Sequence, residues 1–200
     1  MQTFKNQAEL GAYKAHLLAG ATEKFMALGL GPITPEMAAL SMPPGVWSTP
    51  GKAAGEGAKL ILTGPPGSGK TTLLKKITWG LALRRYRPRG GYIPAMLDHL
   101  KSGNIGSYTS WLTSGNLLVL DDLDKLRGTQ YEAERLLAAI NYYDVNRFPI
   151  IVTMNVELDD FGNRIRAGGV PADYAESIVS RLRGRSTSHF VSGPDHRTVA

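Results

Sequence analysis

Cysteine is absent from all 200 residues of the chain. That excludes a disulfide framework and any thiolate metal site, and it suits a reducing cytosol. No apolar run approaches the ~20 residues that a membrane-crossing helix needs. The opening residues, Met1-Gln2-Thr3-Phe4-Lys5-Asn6-Gln7, hold no apolar signal core. The expectation is a cytoplasmic protein with no membrane partner. The four histidines, His16, His99, His189 and His196, show no ligand spacing, so no structural metal is expected. Acidic residues are outnumbered: 17 Asp and Glu stand against 23 Lys and Arg, a net charge of +6. The pI is near 9.6. Such an excess suits a polyanionic partner, nucleic acid first, although a mildly basic surface gives the same figures. Hydrophobic residues make up 42%, ordinary for one globular domain with a sizeable core.

One stretch dominates what is present. Gly64-Pro65-Pro66-Gly67-Ser68-Gly69-Lys70-Thr71 fits the spacing G-x-x-x-x-G-K-[ST] at every fixed position. It follows the apolar run Leu60-Ile61-Leu62-Thr63 and opens a helical segment that begins Thr72-Leu73-Leu74. Glycines let such a loop curl until its N–H groups converge on phosphate oxygens, and the positive end of the next helix adds to the attraction. The expected nucleotide-binding set is Gly64, Pro65, Pro66, Gly67, Ser68, Gly69, Lys70, Thr71 and Thr72. Lys70 would reach the β- and γ-phosphates of ATP, and the Thr71 hydroxyl would hold Mg²⁺. A Gly/Pro turn between strand and helix is the plainer reading, and four fixed positions rarely match by chance.

The second signal is Leu117-Leu118-Val119-Leu120-Asp121-Asp122-Leu123-Asp124. A continuous apolar run ending in carboxylates reads as a buried parallel strand with an acidic tip, at the sheet edge where open α/β sheets bind ligands. Asp121 is placed to hold the Mg²⁺ shell. Asp122 is placed to orient or deprotonate the attacking water. Alone the run is weak, because turns often start with Asp. Some fifty residues after a phosphate loop it becomes strong. A later buried strand, Phe148-Pro149-Ile150-Ile151-Val152-Thr153, ends at Met154-Asn155. Asn155 there can reach the γ-phosphate or the water, or can simply end the strand.

Other segments frame these. Apolar residues at Leu10, Tyr13, Leu17, Ala21, Phe25 and Leu28 predict an amphipathic helix over about 7–28. Residues 41–58 are rich in Pro, Gly, Ser and Ala and read as a loop or linker, with Trp47 as a possible surface anchor. Arg84-Arg85-Tyr86-Arg87-Pro88-Arg89 puts four arginines around an aromatic. Arg84, Arg85, Arg87 and Arg89 either grip a nucleic-acid backbone or form a solvated helix end. A short strand is expected at Gly91-Tyr92-Ile93, a helix at 94–100, and a turn-rich stretch at 103–110. Helices are expected over 132–141 and from Pro171 through Leu182, and a last strand at His189-Phe190-Val191.

Taken together, GPPGSGKT at 64–71, YIP at 92–94, LLVLDDLD at 117–124, IIVTMN at 150–155, SRLRGR at 180–185 and SGPDHR at 192–197 resemble the AAA+ ATPases. Within them the likeness is to DnaC/DnaI-type helicase loaders and the related IstB transposition ATPases, from about Phe4 to Arg197. The resemblance implies a P-loop NTPase three-layer sandwich, a parallel sheet of about five strands with no separate C-terminal lid domain, and one strand between the acidic and phosphate-loop strands. It implies head-to-tail assembly with ATP at each interface. Asn155 then matches the first sensor, Arg181 the arginine finger donated in trans, and Arg197 a second arginine near the nucleotide. Residues 94–115 would help line a path for single-stranded DNA, where Lys101 is the only Lys or Arg. Two departures stand out. The acidic strand ends in Asp-Asp, as in the loaders, where most of the superfamily has Asp-Glu; the shorter side chain implies slow hydrolysis. No N-terminal helicase-gripping domain is expected, because the match begins near residue 4.

The leading expectation is therefore a helicase-loader ATPase that binds ATP, Mg²⁺ and single-stranded DNA and places a hexameric DnaB-like replicative helicase. An IstB-like regulator with a transposase as partner shares the chemistry. A small-molecule P-loop kinase would need an acceptor pocket and an arginine-rich lid, but neither Asn155 nor an interface arginine. An ATP-gated adaptor or inhibitor that does not turn over is the non-enzymatic alternative.

Overall fold

The computed structural model describes residues 26, 28–34, 56–82, 84–102 and 105–193. Only the last positions of the helix expected over 7–28 and of the loop expected over 41–58 fall among these, while Trp47 and Arg197 lie outside them. Five parallel strands form one sheet, in the order β2-β3-β4-β1-β5. They are β1 (Lys59–Thr63), β2 (Pro88–Tyr92), β3 (Leu117–Asp121), β4 (Ile150–Met154) and β5 (Ser186–Phe190). The acidic strand β3 is separated from β1 by β4 alone, as the resemblance implied. The helices are α1 (Lys70–Ala82), α2 (Ile93–Ser102), α3 (Ile105–Thr113), α4 (Gln130–Val145), α5 (Leu158–Ala167) and α6 (Ala172–Arg183).

The sheet's pleat sorts its side chains into two cores. Leu60, Leu62, Leu117, Val119 and Ile151 pack with α1 and with Leu28, Leu30 and Ile33. Ile61, Leu118, Leu120, Ile150, Val152 and Met154 face α2, α4, α5 and α6. Strands β1, β3 and β4 are buried along their whole length, which is why they read as unbroken apolar runs. The result is the three-layer α/β sandwich expected. Among the described residues, no helix is long and apolar enough to cross a membrane.

Two local expectations are corrected. Strand β2 runs over Pro88–Tyr92, earlier than the 91–93 expected, and α2 begins at once with Ile93. Arg89 is thus a strand residue. Residues 105–113, most of them in the stretch 103–110 expected to be turn-rich, form α3. Its last carbonyls are taken up by α4: Tyr142 Oη donates to Thr113 O at 2.9 Å and Tyr143 Oη to Leu112 O at 2.8 Å. That tertiary capping outweighs the weak helix propensity of Gly, Ser and Thr.

The glycines of β2 have a steric reason. Gly91 sits at φ 127°, and a Cβ there would fall 1.9 Å from Leu28 O, the same carbonyl that accepts from Tyr92 N–H at 3.0 Å. Only a residue without a side chain lets residues 28–33 close over the sheet here. Gly91→Ala is expected to cost about 2–4 kcal/mol through backbone strain and overpacking, read as a lower urea midpoint at unchanged m-value.

Candidate functional site

The phosphate loop joins the carboxyl end of β1 to the first turn of α1. Gly64, Gly67 and Gly69 take φ of 143°, 78° and 93°. At Gly64 a Cβ would meet Val191 O at 2.3 Å, so the residue that follows β5 closes one wall of the loop. The first helical bond of α1 runs from Leu73 N–H to Gly69 O at 2.9 Å. The amides of the opening turn precede that ladder and point toward the loop, as helix N-termini do. Lys70 is buried and donates to Gly64 O at 2.8 Å and Pro65 O at 2.7 Å. Ser68 Oγ is buried and, among the described residues, has no hydrogen-bond partner. A concave loop with positive φ at three glycines, an orphaned hydroxyl and a lysine folded against its own carbonyls fits a polyphosphate. Anionic oxygens would answer the hydroxyl and compete with those carbonyls for the lysine.

Beside the loop stands the tip of β3. Asp121 is only 4% exposed. The Thr71 hydroxyl lies 3.0 and 3.2 Å from its two carboxylate oxygens, and Thr153 Oγ1 donates to Oδ1 at 2.7 Å. Burial pushes the Asp121 carboxyl above its ordinary range, opposed by the Thr153 and Thr71 hydroxyls and by the Lys75 charge. Neighbouring Asp122 reinforces the upward shift. Oxygen ligands from Thr71 and Asp121, brought together in a buried place, form a hard donor pair that suits Mg²⁺. A bound dication would favour the charged carboxylate that burial disfavours.

Asp122 occupies the left-handed region, φ 54° and ψ 52°, which Asp tolerates better than most residues. Its N–H donates to Thr153 Oγ1 at 2.9 Å. Thr153 therefore holds both carboxylate residues, one through its proton and one through its lone pair. Sequence reasoning gave it no role, yet it is the lone hydroxyl in Ile150-Ile151-Val152-Thr153-Met154, and a buried polar residue inside an apolar strand is a readable signal. Asn155 stands at the tip of β4. Its Nδ2 donates to Asp124 at 2.9 and 3.3 Å, and its N–H to the same carboxylate at 3.2 Å. The Asn155 amide is thus held by Asp124, just after the acidic pair. A further polar pair, Thr63 Oγ1 to Glu157 Oε1 at 3.0 Å, ties the end of β1 to the segment after β4.

The three arginines of Ser180-Arg181-Leu182-Arg183-Gly184-Arg185 are not alike. Arg183 is paired with Asp159, and Arg185 with Asp144 at 2.7 Å. Arg181 is half-buried, and among the described residues its guanidinium has no hydrogen-bond or ion-pair partner. It lies at the far end of the sheet from the phosphate loop. Its carbonyl accepts from Lys59 Nζ at the start of β1, whereas the loop follows Thr63 at the other end. Five residues at ~3.3 Å each separate the two ends.

The basic stretch after α1 is divided. Arg84, Arg85 and Arg87 are exposed, although Arg84 Nη1 also donates to Gly80 O at 2.9 Å. Arg89 is half-buried and bonded to Ser114 and Pro88. Tyr86 packs against the α1-side core, so it does not stand free between the arginines as a stacking platform. Lys101 lies on α2.

The comparisons with known proteins agree with this geometry. A model of the ATPase family associated with various cellular activities (AAA) matches residues 60–169. Among curated proteins, none matches the chain in sequence. The chain is similar in fold to the replication initiator DnaA bound to AMPPCP and single-stranded DNA. There the TM-score is 0.62 and the identity 21%, over 80% of this chain and 51% of that one. It is similar to DnaI at TM-score 0.58 and 20% identity, over 98% of this chain and 88% of that one. A primosome component described as putative, from Streptococcus pyogenes, matches at TM-score 0.55 and 17% identity, over 94% and 82%. The chain spans about half the length of the DnaA structures. At these identities the likeness is one of fold. The family match covers more than half of the 200 residues, from β1 to the end of α5, and takes in both the phosphate loop and the acidic strand. The chain belongs to the AAA family of ATPases.

Proposed function

We propose that the chain is a replication ATPase of the DnaC/DnaI helicase-loader type, which assembles copy to copy around ATP. Residues 64–72 would bind the triphosphate, and Thr71 with Asp121 would hold Mg²⁺, which supplies charge neutralisation between the phosphates. Asp122 would orient the attacking water, and Asn155 would sense the γ-phosphate after leaving Asp124. Arg181 would come from the neighbouring copy. The observation that carries this reading is the state of the Ser-Arg-Leu-Arg-Gly-Arg arginines. Arg183 and Arg185 are committed within the chain, whereas Arg181 has no side-chain partner among the described residues and is too far from its own phosphate loop to serve it. An arginine finger given in trans needs that arrangement.

The near end-to-end likeness to DnaI favours the loader class over other ATPases of the fold, with a hexameric replicative helicase and single-stranded DNA as partners. Exposed Arg84, Arg85 and Arg87 are the side chains best placed to meet phosphate. The Asp122 carboxylate, short and held in a left-handed turn, favours a slow switch over a motor.

Light-scattering mass is the test, measured with and without a slowly hydrolysed ATP analogue and a single-stranded oligonucleotide. The expected result is an oligomer only with nucleotide, strengthened by the oligonucleotide. A monomer under every condition, despite tight ATP binding, would sink self-assembly. Preference for duplex over single strands would move the assignment to a transposition regulator.

A further inference from the structure

We propose that Lys59 is a positioning residue for Arg181, holding the last turn of α6 so that the arginine is presented to a neighbouring copy. The proposal rests on the trans role given to Arg181 above. Lys59 opens β1 and is only 1% exposed. A lysine at a fully buried strand position needs its charge met. Here the ammonium has three partners: Asp144 Oδ1 at 2.6 Å, Arg181 O at 2.5 Å and Gly184 O at 2.7 Å. Its own N–H donates to Arg185 O at 3.0 Å.

Two of the three acceptors are carbonyls at the carboxyl end of α6. Helix ends leave such carbonyls without intrahelical donors and carry partial negative charge. A buried cation there satisfies both needs at once. The remaining acceptor, Asp144, also takes Arg185 Nη2 at 2.7 Å, and Arg185 Nη2 reaches Asp144 O at 3.1 Å. Lys59, Asp144 and Arg185 thus clamp the end of α4, the end of α6 and the start of β1 to one another. On its other side this turn is pinned by Leu182, which is wholly buried. Arg181 lies between the two anchors, with its backbone fixed and its guanidinium unpaired among the described residues. Freezing the backbone of a finger reduces the ordering left to be done when the neighbour's phosphate arrives. A buried Lys in the strand that leads to the phosphate loop would otherwise be a costly choice, since a Leu or Val there would pack without needing partners.

Mixed assemblies test this. A copy carrying Lys70→Ala cannot fill its own site but can lend Arg181. A copy carrying Arg181→Ala binds ATP but lends nothing. Each alone should be inactive, and their mixture should recover turnover at mixed interfaces. Lys59→Met added to the lending copy is expected to cut the recovered turnover about tenfold or more. The same change in the receiving copy is expected to cost about twofold or less. This asymmetry separates positioning of Arg181 from a general loss of structure, which would act in both roles. Equal effects in the two roles overturn the Lys59 assignment and leave the trans reading intact. Failure of the unsubstituted mixture to recover overturns the trans reading and the Lys59 proposal with it. Should Lys59→Met lose its circular-dichroism signature, Asp144→Asn takes its place. It keeps an acceptor for the ammonium, and the same asymmetry is expected at about threefold. Its absence overturns the proposal equally.

Discussion

Replacing Arg181 by alanine is expected to lower ATP turnover by ~10³–10⁵, the range an arginine finger supplies in comparable phosphoryl-transfer systems. Nucleotide affinity should stay within about twofold, because the side chain acts on charge that develops in the transition state, outside ground-state binding by its own copy. The geometry also supplies controls. Arg183 is paired with Asp159, and both side chains are exposed, so Arg183→Ala removes a surface pair worth ~0–1 kcal/mol and little turnover. Arg185→Ala strips one donor from Asp144 while Lys59 still holds that carboxylate and the end of α6, so a modest loss of stability, with a turnover loss far smaller than that of Arg181→Ala, is the expected result. The three variants, measured side by side for turnover and for binding of a fluorescent ATP analogue, separate one functional arginine from two structural ones. Normal hydrolysis by Arg181→Ala would refute the assignment.

Much of this was legible in the sequence because the informative strands are buried on both faces. Leu117-Leu118-Val119-Leu120-Asp121 and Ile150-Ile151-Val152 carry no alternation to misread, and their polar tips mark the edge where chemistry collects. The strand order, with β4 between β1 and β3, came from the family resemblance and not from periodicity. What stayed hidden depended on distant partners. Pro88-Arg89-Gly90-Gly91-Tyr92 has almost no strand propensity, and it is a strand because β3 pairs with it along its whole length and residue 28 closes against it. Helix α3 needs two tyrosines from α4 to finish its last turn. Among Arg181, Arg183 and Arg185 only the family resemblance singled out Arg181; by position alone the three look equivalent until Asp159 and Asp144 are seen to claim the other two. Thr153 was readable as a polar residue inside a buried apolar run, while Lys59 stands one residue before the strand expected from Leu60. Their partners, on β3 in one case and α6 in the other, were not readable.

Lys70→Ala should weaken ATP binding by ~30-fold or more, and the structure says why the loss is more than one contact. Lys70 is 5% exposed and spends its ammonium on Gly64 O and Pro65 O. Those carbonyls belong to the first two residues of the loop, so the lysine ties the start of the loop to the start of α1. When a triphosphate enters, its oxygens offer full negative charge in place of carbonyl dipoles, and the exchange is favourable because charge-assisted bonds are roughly twice as strong. Alanine removes the new bonds and also leaves two loop carbonyls without their donor. Truncating one partner of a buried charge pair costs about 2–5 kcal/mol, or ~30- to 4,000-fold in affinity at 1.4 kcal/mol per decade. Thermal melts distinguish lost binding from lost structure. The parent chain should gain ~2.7 kcal/mol of stability at nucleotide concentrations 100 times its Kd, seen as a raised Tm. The Lys70→Ala chain should melt cooperatively near the nucleotide-free temperature of the parent and gain less than ~1 kcal/mol at the same nucleotide concentration. A nucleotide-dependent rise equal to the parent's would mean that the triphosphate is held elsewhere, and the loop over residues 64–71 would lose its assigned role.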